Sequence, residues 1–147
     1  MKNKIIFLDI DGVLNTRDWV EKKNPWVDEN KVSLLASLCD ITGAKIVLST
    51  SWREILLEPD VIGEESAFFK AVQLFKEYNL EILGMTPKLE TREQEIMAYI
   101  TSNNIRSWVV FDDKDLKIQN LVRTDNTIGL TVEDCKKGMS ILCTFSL

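Results

Sequence analysis

Asp9 and Asp11 close an apolar run, Ile5-Ile6-Phe7-Leu8, and Gly12 follows at once. Residues two apart on a strand point the same way. At the end of a buried strand, two such carboxylates would open into one crevice and repel unless a proton or a cation separates them. The arrangement is costly for stability and useful for chemistry. Asp112-Asp113 stand behind a second apolar run, Trp108-Val109-Val110-Phe111, with Asp115 just beyond as a surface charge. A third run ends in Ser49-Thr50-Ser51. If the strands are parallel, all three endings share one edge. Four or five carboxylates gathered there need a cation. Hard oxygen ligands in a chain without histidine point to Mg²⁺ rather than zinc. Mg²⁺ usually keeps several waters and takes one or two carboxylates, which leaves room for a phosphate.

A calcium loop starting at Asp9 does not fit, because its third ligand position would be Val13 and its distal acid Val20. The lack of histidine also removes His-based triads, so acid–base work falls to carboxylates, Lys, Tyr or Cys.

The elements that must position these groups alternate. Strands are expected at residues 4–10, 44–50, 80–84, 107–112 and near 121–124. A helix is expected over 28–42, capped by Asp28 and closed by Gly43. Another spans 66–78, with Ser66 as cap and Phe68, Val72 and Phe75 on one face. Thr91-Arg92-Glu93-Gln94 has the capping-box pattern and opens a helix to about Ser102. A last helix starts at Thr131, with Val132, Cys135, Met139 and Leu142 inward. Residues 15–25 read as irregular, and 53–66 as a long loop or short helix. Alternation of this kind predicts an α/β fold with a mostly parallel sheet covered on both faces, its ligands beyond the carboxyl ends of the strands.

The 147 residues suit one domain, 1–147, with a real core. A net charge of −5 argues against broad electrostatic binding to nucleic acid, without excluding a local basic patch. Cys39, Cys135 and Cys143 are scattered and read as thiols of a reducing compartment. No apolar stretch reaches the roughly 18 residues a membrane span needs, and the N-terminus lacks a signal-peptide pattern. We expect a cytoplasmic, soluble protein with no membrane partner.

Phe7-Leu8-Asp9-Ile10-Asp11-Gly12-Val13-Leu14-Asn15 resembles the first motif of the haloacid dehalogenase (HAD) superfamily of phosphotransferases. Ile46-Val47-Leu48-Ser49-Thr50 resembles its second motif, and Val109-Val110-Phe111-Asp112-Asp113 its acidic metal motif. Ser51-Trp52-Arg53, Arg92-Glu93-Gln94-Glu95-Ile96 and Gly129-Leu130-Thr131 are similar to a narrower group, the small HAD domains of Swiss Army knife RNA-repair-type proteins. The resemblance implies a HAD-like Rossmannoid three-layer sandwich. It also implies an Mg²⁺-dependent phosphatase in which Asp9 attacks phosphorus and forms an aspartyl-phosphate. Asp11 would be the acid–base, its pKa raised by the neighbouring acid. Thr50 would donate its hydroxyl to the phosphate, with Ser49 and Ser51 as alternatives. Arg92 would supply the family's cation, with Lys88 as alternative. The metal set would come from Asp9, Asp11, Asp112 and Asp113.

The intervals 12–43 and 51–91 are too short for a full cap, so the site should be open to a bulky phosphorylated end. The 15–26 loop carries Arg17, Trp19, Lys22, Lys23 and Trp26, and Trp52-Arg53 share its rim. Such side chains could stack bases and grip a backbone. The expected partner is a phosphorylated substrate, with a nucleic-acid end or nucleotide as leading class. The contrasting reading is a catalytically weak phosphate-binding or docking module.

Overall fold

The computed structural model describes residues 3–22, 27–50 and 67–143. Its centre is a five-stranded sheet of β1 (Lys4–Leu8), β2 (Lys45–Leu48), β3 (Ile82–Met85), β4 (Ser107–Asp112) and β5 (Leu121–Arg123). Every pairing is parallel, in the order β3-β2-β1-β4-β5. The helices are α1 (Arg17–Glu21), α2 (Glu29–Thr42), α3 (Ala67–Glu77), α4 (Arg92–Ser102) and α5 (Val132–Leu142).

Alternating side chains divide the core into two layers of packing. Ile6, Leu8, Ile46, Leu48, Val109 and Phe111 face α2, α3 and α5. Ile5, Phe7, Val47 and Val110 face α4, meeting Ile96 and Ile100. The strands are apolar on both faces because helices cover both, as a parallel sheet requires. The result is the α/β fold with a covered parallel sheet that the alternation predicted, in the three-layer, Rossmann-like form that the resemblance implied.

Helix ends follow local chemistry. Asp28 caps α2 by accepting from the Asn30 N–H at 2.9 Å, and Gly43 closes it in the left-handed conformation. Thr91 and Gln94 complete a reciprocal capping box on α4. Thr131 and Asp134 form a second box on α5.

Several expectations need adjustment. The first strand stops at Leu8, two residues short: Asp9 still donates to the Phe111 carbonyl, and the chain then turns at Ile10, whose carbonyl accepts from the Val13 and Leu14 N–H groups. The second stops at Leu48. Residues 15–25 are not irregular throughout: Thr16 accepts from the Trp19 N–H and starts the five-residue α1. Val132 does not point inward. It is 53% exposed, since the first turn of α5 clears the sheet before Gly138 and Leu142 reach it. The capping role of Ser66 and the inward Phe68 lie outside the described residues and side chains. Among the described residues no helix is long and apolar enough to cross a membrane.

Candidate active site at the sheet switch point

From β1 the chain moves outward through β2 and β3, then returns to β4 on the other side of β1. The connections leaving β1 and β4 therefore diverge, and the crevice between these strands is where ligands of open α/β sheets bind. Register decides which groups meet there. Leu8 is level with Phe111, and the Asp9 N–H donates to the Phe111 carbonyl at 3.1 Å, so Asp9 comes level with Asp112. Phe7 and Val110 face α4. Asp9 and Asp112 are the next residues of the same parity, so both carboxylates aim at the start of α4.

Arg92 is waiting there, in the first turn. Its Nη1 donates to Asp112 Oδ2 at 3.2 Å and to the Ser49 carbonyl, and lies 3.5 Å from Asp9 Oδ1. A cation in the first turn opposes the helix dipole; three acceptors supply the compensation. The guanidinium is steered from behind by Glu95, whose Oε1 lies 3.6 Å from Arg92 Nε and whose Oε2 accepts from the Leu89 N–H at 3.0 Å. Glu95 is buried, as a carboxylate is only when paired.

Asp9, Asp112 and Asp113 each offer an oxygen within 4.8 Å of the others. Burial pushes the Asp9 carboxyl up to about 7, with Asp112 and then Asp113 adding to the rise, against Arg92 and the Ile10 N–H that bonds Asp9 Oδ1 at 2.9 Å. Burial likewise raises Asp112, opposed by the Lys114 N–H and Arg92. Asp9, Asp112 and Glu95 meet the Arg92 guanidinium, and Asp113 adds a fourth carboxylate to the cluster. This excess of oxygen-bearing charge fits a hard divalent cation. Asp9, Asp112 and Asp113 are the residues that could hold Mg²⁺.

Asp11 is placed apart from that triad. It is exposed, and its Oδ1 accepts from Asn15 Nδ2 at 3.1 Å. Asn15 is itself buried, and its Oδ1 takes the Gly12 N–H at 3.1 Å. Gly12 has φ +84°, and a Cβ there would fall 2.6 Å from Asp113 Cγ, so only glycine lets this turn lie against Asp113. Thr124 ties the turn down by donating to the Gly12 carbonyl at 2.8 Å.

Of the other expected residues, Thr50 is fully buried directly beyond Ser49 at the end of β2. Ser51 lies outside the described residues, as do Lys23, Trp26, Trp52 and Arg53. Lys88 is exposed and lines a different cleft with Tyr99, Ser102 and Asn103, toward the far end of α4. Asp115 pairs with Lys117 at the surface. A cleft of about 790 Å³ opens beside Asp11 and Asp113, with Arg17 on its wall. Trp19 is half-buried and does not line it. Sequence reasoning missed the positioning roles of Glu95 and Asn15. A carboxylate on the apolar stripe of α4, beside Ile96 and Ile100, was the available signal for Glu95.

The family model of the HAD domain in Swiss Army Knife RNA repair proteins matches residues 5–135. No curated protein and no solved structure matches the chain. The matched span carries all five strands and the acid cluster, and the chain belongs to that HAD family.

Proposed function

We propose that this HAD domain is an Mg²⁺-dependent phosphohydrolase acting through an aspartyl-phosphate on Asp9, with a nucleotide or a nucleic-acid end as substrate. The observation that carries the reading is the convergence of Asp9, Asp112, Asp113 and Arg92 at the switch point, with Asp11 set separately at the mouth of a cleft. A pure phosphate binder has no use for that second acid.

In this reading Arg92, held by Glu95, grips the phosphoryl oxygens beside Asp9, and Thr50 donates to the same group. Bound Mg²⁺ would screen the carboxylates and polarise the phosphate. An oxygen of Asp9 attacks phosphorus as the bond to the ester oxygen breaks. Asp11, standing on the cleft side, gives its proton to that departing oxygen. It then takes a proton from a water that attacks phosphorus, which breaks the Asp9–phosphate bond and releases inorganic phosphate. The short intervals after β1 and β2 leave the site without room for a full cap, which suits a bulky substrate. The family's association with RNA repair supports nucleic-acid ends or nucleotides as its class. Cys39, Cys135 and Cys143 are free thiols, in keeping with a cytoplasmic setting.

The test is phosphate release from p-nitrophenyl phosphate and from nucleotides with Mg²⁺, repeated with Asp9→Asn. We expect turnover that chelation removes and that the variant lacks. Undiminished activity in the variant would sink the nucleophile assignment. No turnover of any ester would leave a phosphate-binding module.

A further inference from the structure

Among the described residues, Ser49 Oγ, Thr86 Oγ1 and Trp108 Nε1 are buried without a hydrogen-bond partner. Such a group costs free energy and calls for a reason. Ser49 adjoins Arg92 at the end of β2. Thr86 stands elsewhere, just past the end of β3, and lines the cleft that Lys88 shares with Tyr99 and Ser102. Its N–H donates to the Leu48 carbonyl at 3.0 Å, as the Ser49 N–H donates to the Leu8 carbonyl at 2.9 Å. Thr86 is therefore level with Ser49 and Asp9, but two strands from Asp9, about 10 Å at the usual strand spacing. One phosphate cannot touch both.

The cleft has a volume of about 420 Å³, within the range that admits a small molecule. Its polar lining is rich in donors, the Lys88 ammonium and the hydroxyls of Thr86, Tyr99 and Ser102. No carboxylate lines it. Among the described residues Lys88 has no acidic partner, whereas Lys22, Lys45, Lys117 and Lys136 each have one. A cation among hydroxyls, with no acid competing for it, is suited to an oxyanion. Thr86 has no hydrogen bond to break, so it can turn its hydroxyl between staggered χ1 wells to meet a ligand. Met85, Pro87 and the Tyr99 ring add apolar walls, against which a sugar or base can lie.

We infer that this cleft is a second phosphate-binding site, in which Lys88 pairs with the phosphate of a nucleotide and the hydroxyls of Thr86, Tyr99 and Ser102 donate to its oxygens. A free mononucleotide and an internal phosphate of a strand share that chemistry. The assignment does not depend on Asp9 being a nucleophile.

The test follows the backbone amide resonances of the ¹⁵N-labelled protein in chelator, where the proposed turnover is off. The titrants are inorganic phosphate, adenosine 5′-monophosphate and an oligonucleotide with hydroxyls at both ends. We expect saturable shifts at Thr86, Lys88, Tyr99 and Ser102. Lys88→Gln removes a charge-assisted contact and should weaken the binding at least tenfold. Thr86→Val keeps the side-chain shape and removes the unpaired hydroxyl. It should weaken binding severalfold yet melt at or above the wild type, which separates a ligand contact from damage to the fold. Tighter binding of the monophosphate would make a free nucleotide the occupant, and tighter binding of the oligonucleotide a strand; either supports the site. Shifts confined to Ile10, Arg92 and Asp113 would overturn it, as would no saturable shift with any titrant or an affinity unchanged in Lys88→Gln. Because binding is read without turnover, a failure of the phosphohydrolase reading leaves this result standing, and the reverse holds too.

Discussion

Asn15 holds Asp11 as Glu95 holds Arg92: each is a buried side chain whose polar atoms face the working residue. The consequences differ because the proposed function gives the two partners different jobs. Replacing Asn15 by Ala removes the Asp11 contact and strands the Gly12 N–H. Loss of general-acid positioning matters most where the departing oxygen is a strong base, and general acids contribute about 10²–10⁴-fold. We expect Asn15→Ala to slow an alkyl phosphate at least tenfold more than p-nitrophenyl phosphate, whose phenolate leaves without much help. Equal losses on both esters, measured at saturating substrate, would reduce Asn15 to a fold residue. Glu95→Ala should act on binding instead. Arg92 would lose its rear partner and the Leu89 N–H its acceptor. A charge-assisted contact of this kind is worth about 1.5–3 kcal/mol, so KM should rise about tenfold or more with a smaller fall in kcat. Glu95→Gln, which keeps an acceptor for Leu89, should recover part of it. A KM unchanged in Glu95→Ala would separate Glu95 from the site.

Among the elements, α5 meets the sheet through Gly138, where a Cβ would come within 2.6 Å of Cζ of the fully buried Phe111 ring. Alanine in a helix normally gains up to about 1 kcal/mol over glycine. Here overpacking, about 1–3 kcal/mol, should win. Gly138→Ala should therefore lower the melting temperature by several degrees, and an increase would mean α5 can shift outward freely. The same helix shows where sequence reading stops. Its start at Thr131 was legible from capping chemistry, which is local. That Val132 faces solvent was not, because the angle at which the first turn leaves the sheet depends on Gly138 and Phe111, far apart in the chain. At the site, Asp9, Asp112, Asp113 and Arg92, which the structure brings together, were readable because each sits at an element end that local pattern marks. The pairing of Leu8 with Phe111, which levels Asp9 with Asp112, is a long-range register that no local pattern carries. The five residues of α1 escaped notice because so short a helix has no apolar period to read.

For the whole molecule, collecting acids at one sheet edge makes stability depend on pH and on metal. In the metal-free protein burial holds the Asp9 carboxyl at about 7, whereas an aspartate in the unfolded chain titrates near 4. Between those values the folded state keeps a proton that the unfolded state has lost. Unfolding stability therefore falls as pH rises through this window, and this group adds no further change above it. Asp112, raised in the same direction, works with it. Mg²⁺ bound as proposed would take the deprotonated form of these carboxylates and so compete with the proton. The gain in melting temperature from millimolar Mg²⁺ over a chelator should be small at pH 5 and grow to pH 8. For a chain of this size each kcal/mol of added stability moves the melting temperature by roughly 2–4 °C. Asp9→Asn removes the charge that burial disfavours. In chelator at pH 8 it should melt at or above the wild type, and it should respond less to Mg²⁺. Melting curves across pH 5–8, with chelator and with Mg²⁺, read both effects. An Mg²⁺ increment equal at every pH, or equal in wild type and Asp9→Asn, would mean that the cation binds away from the switch point.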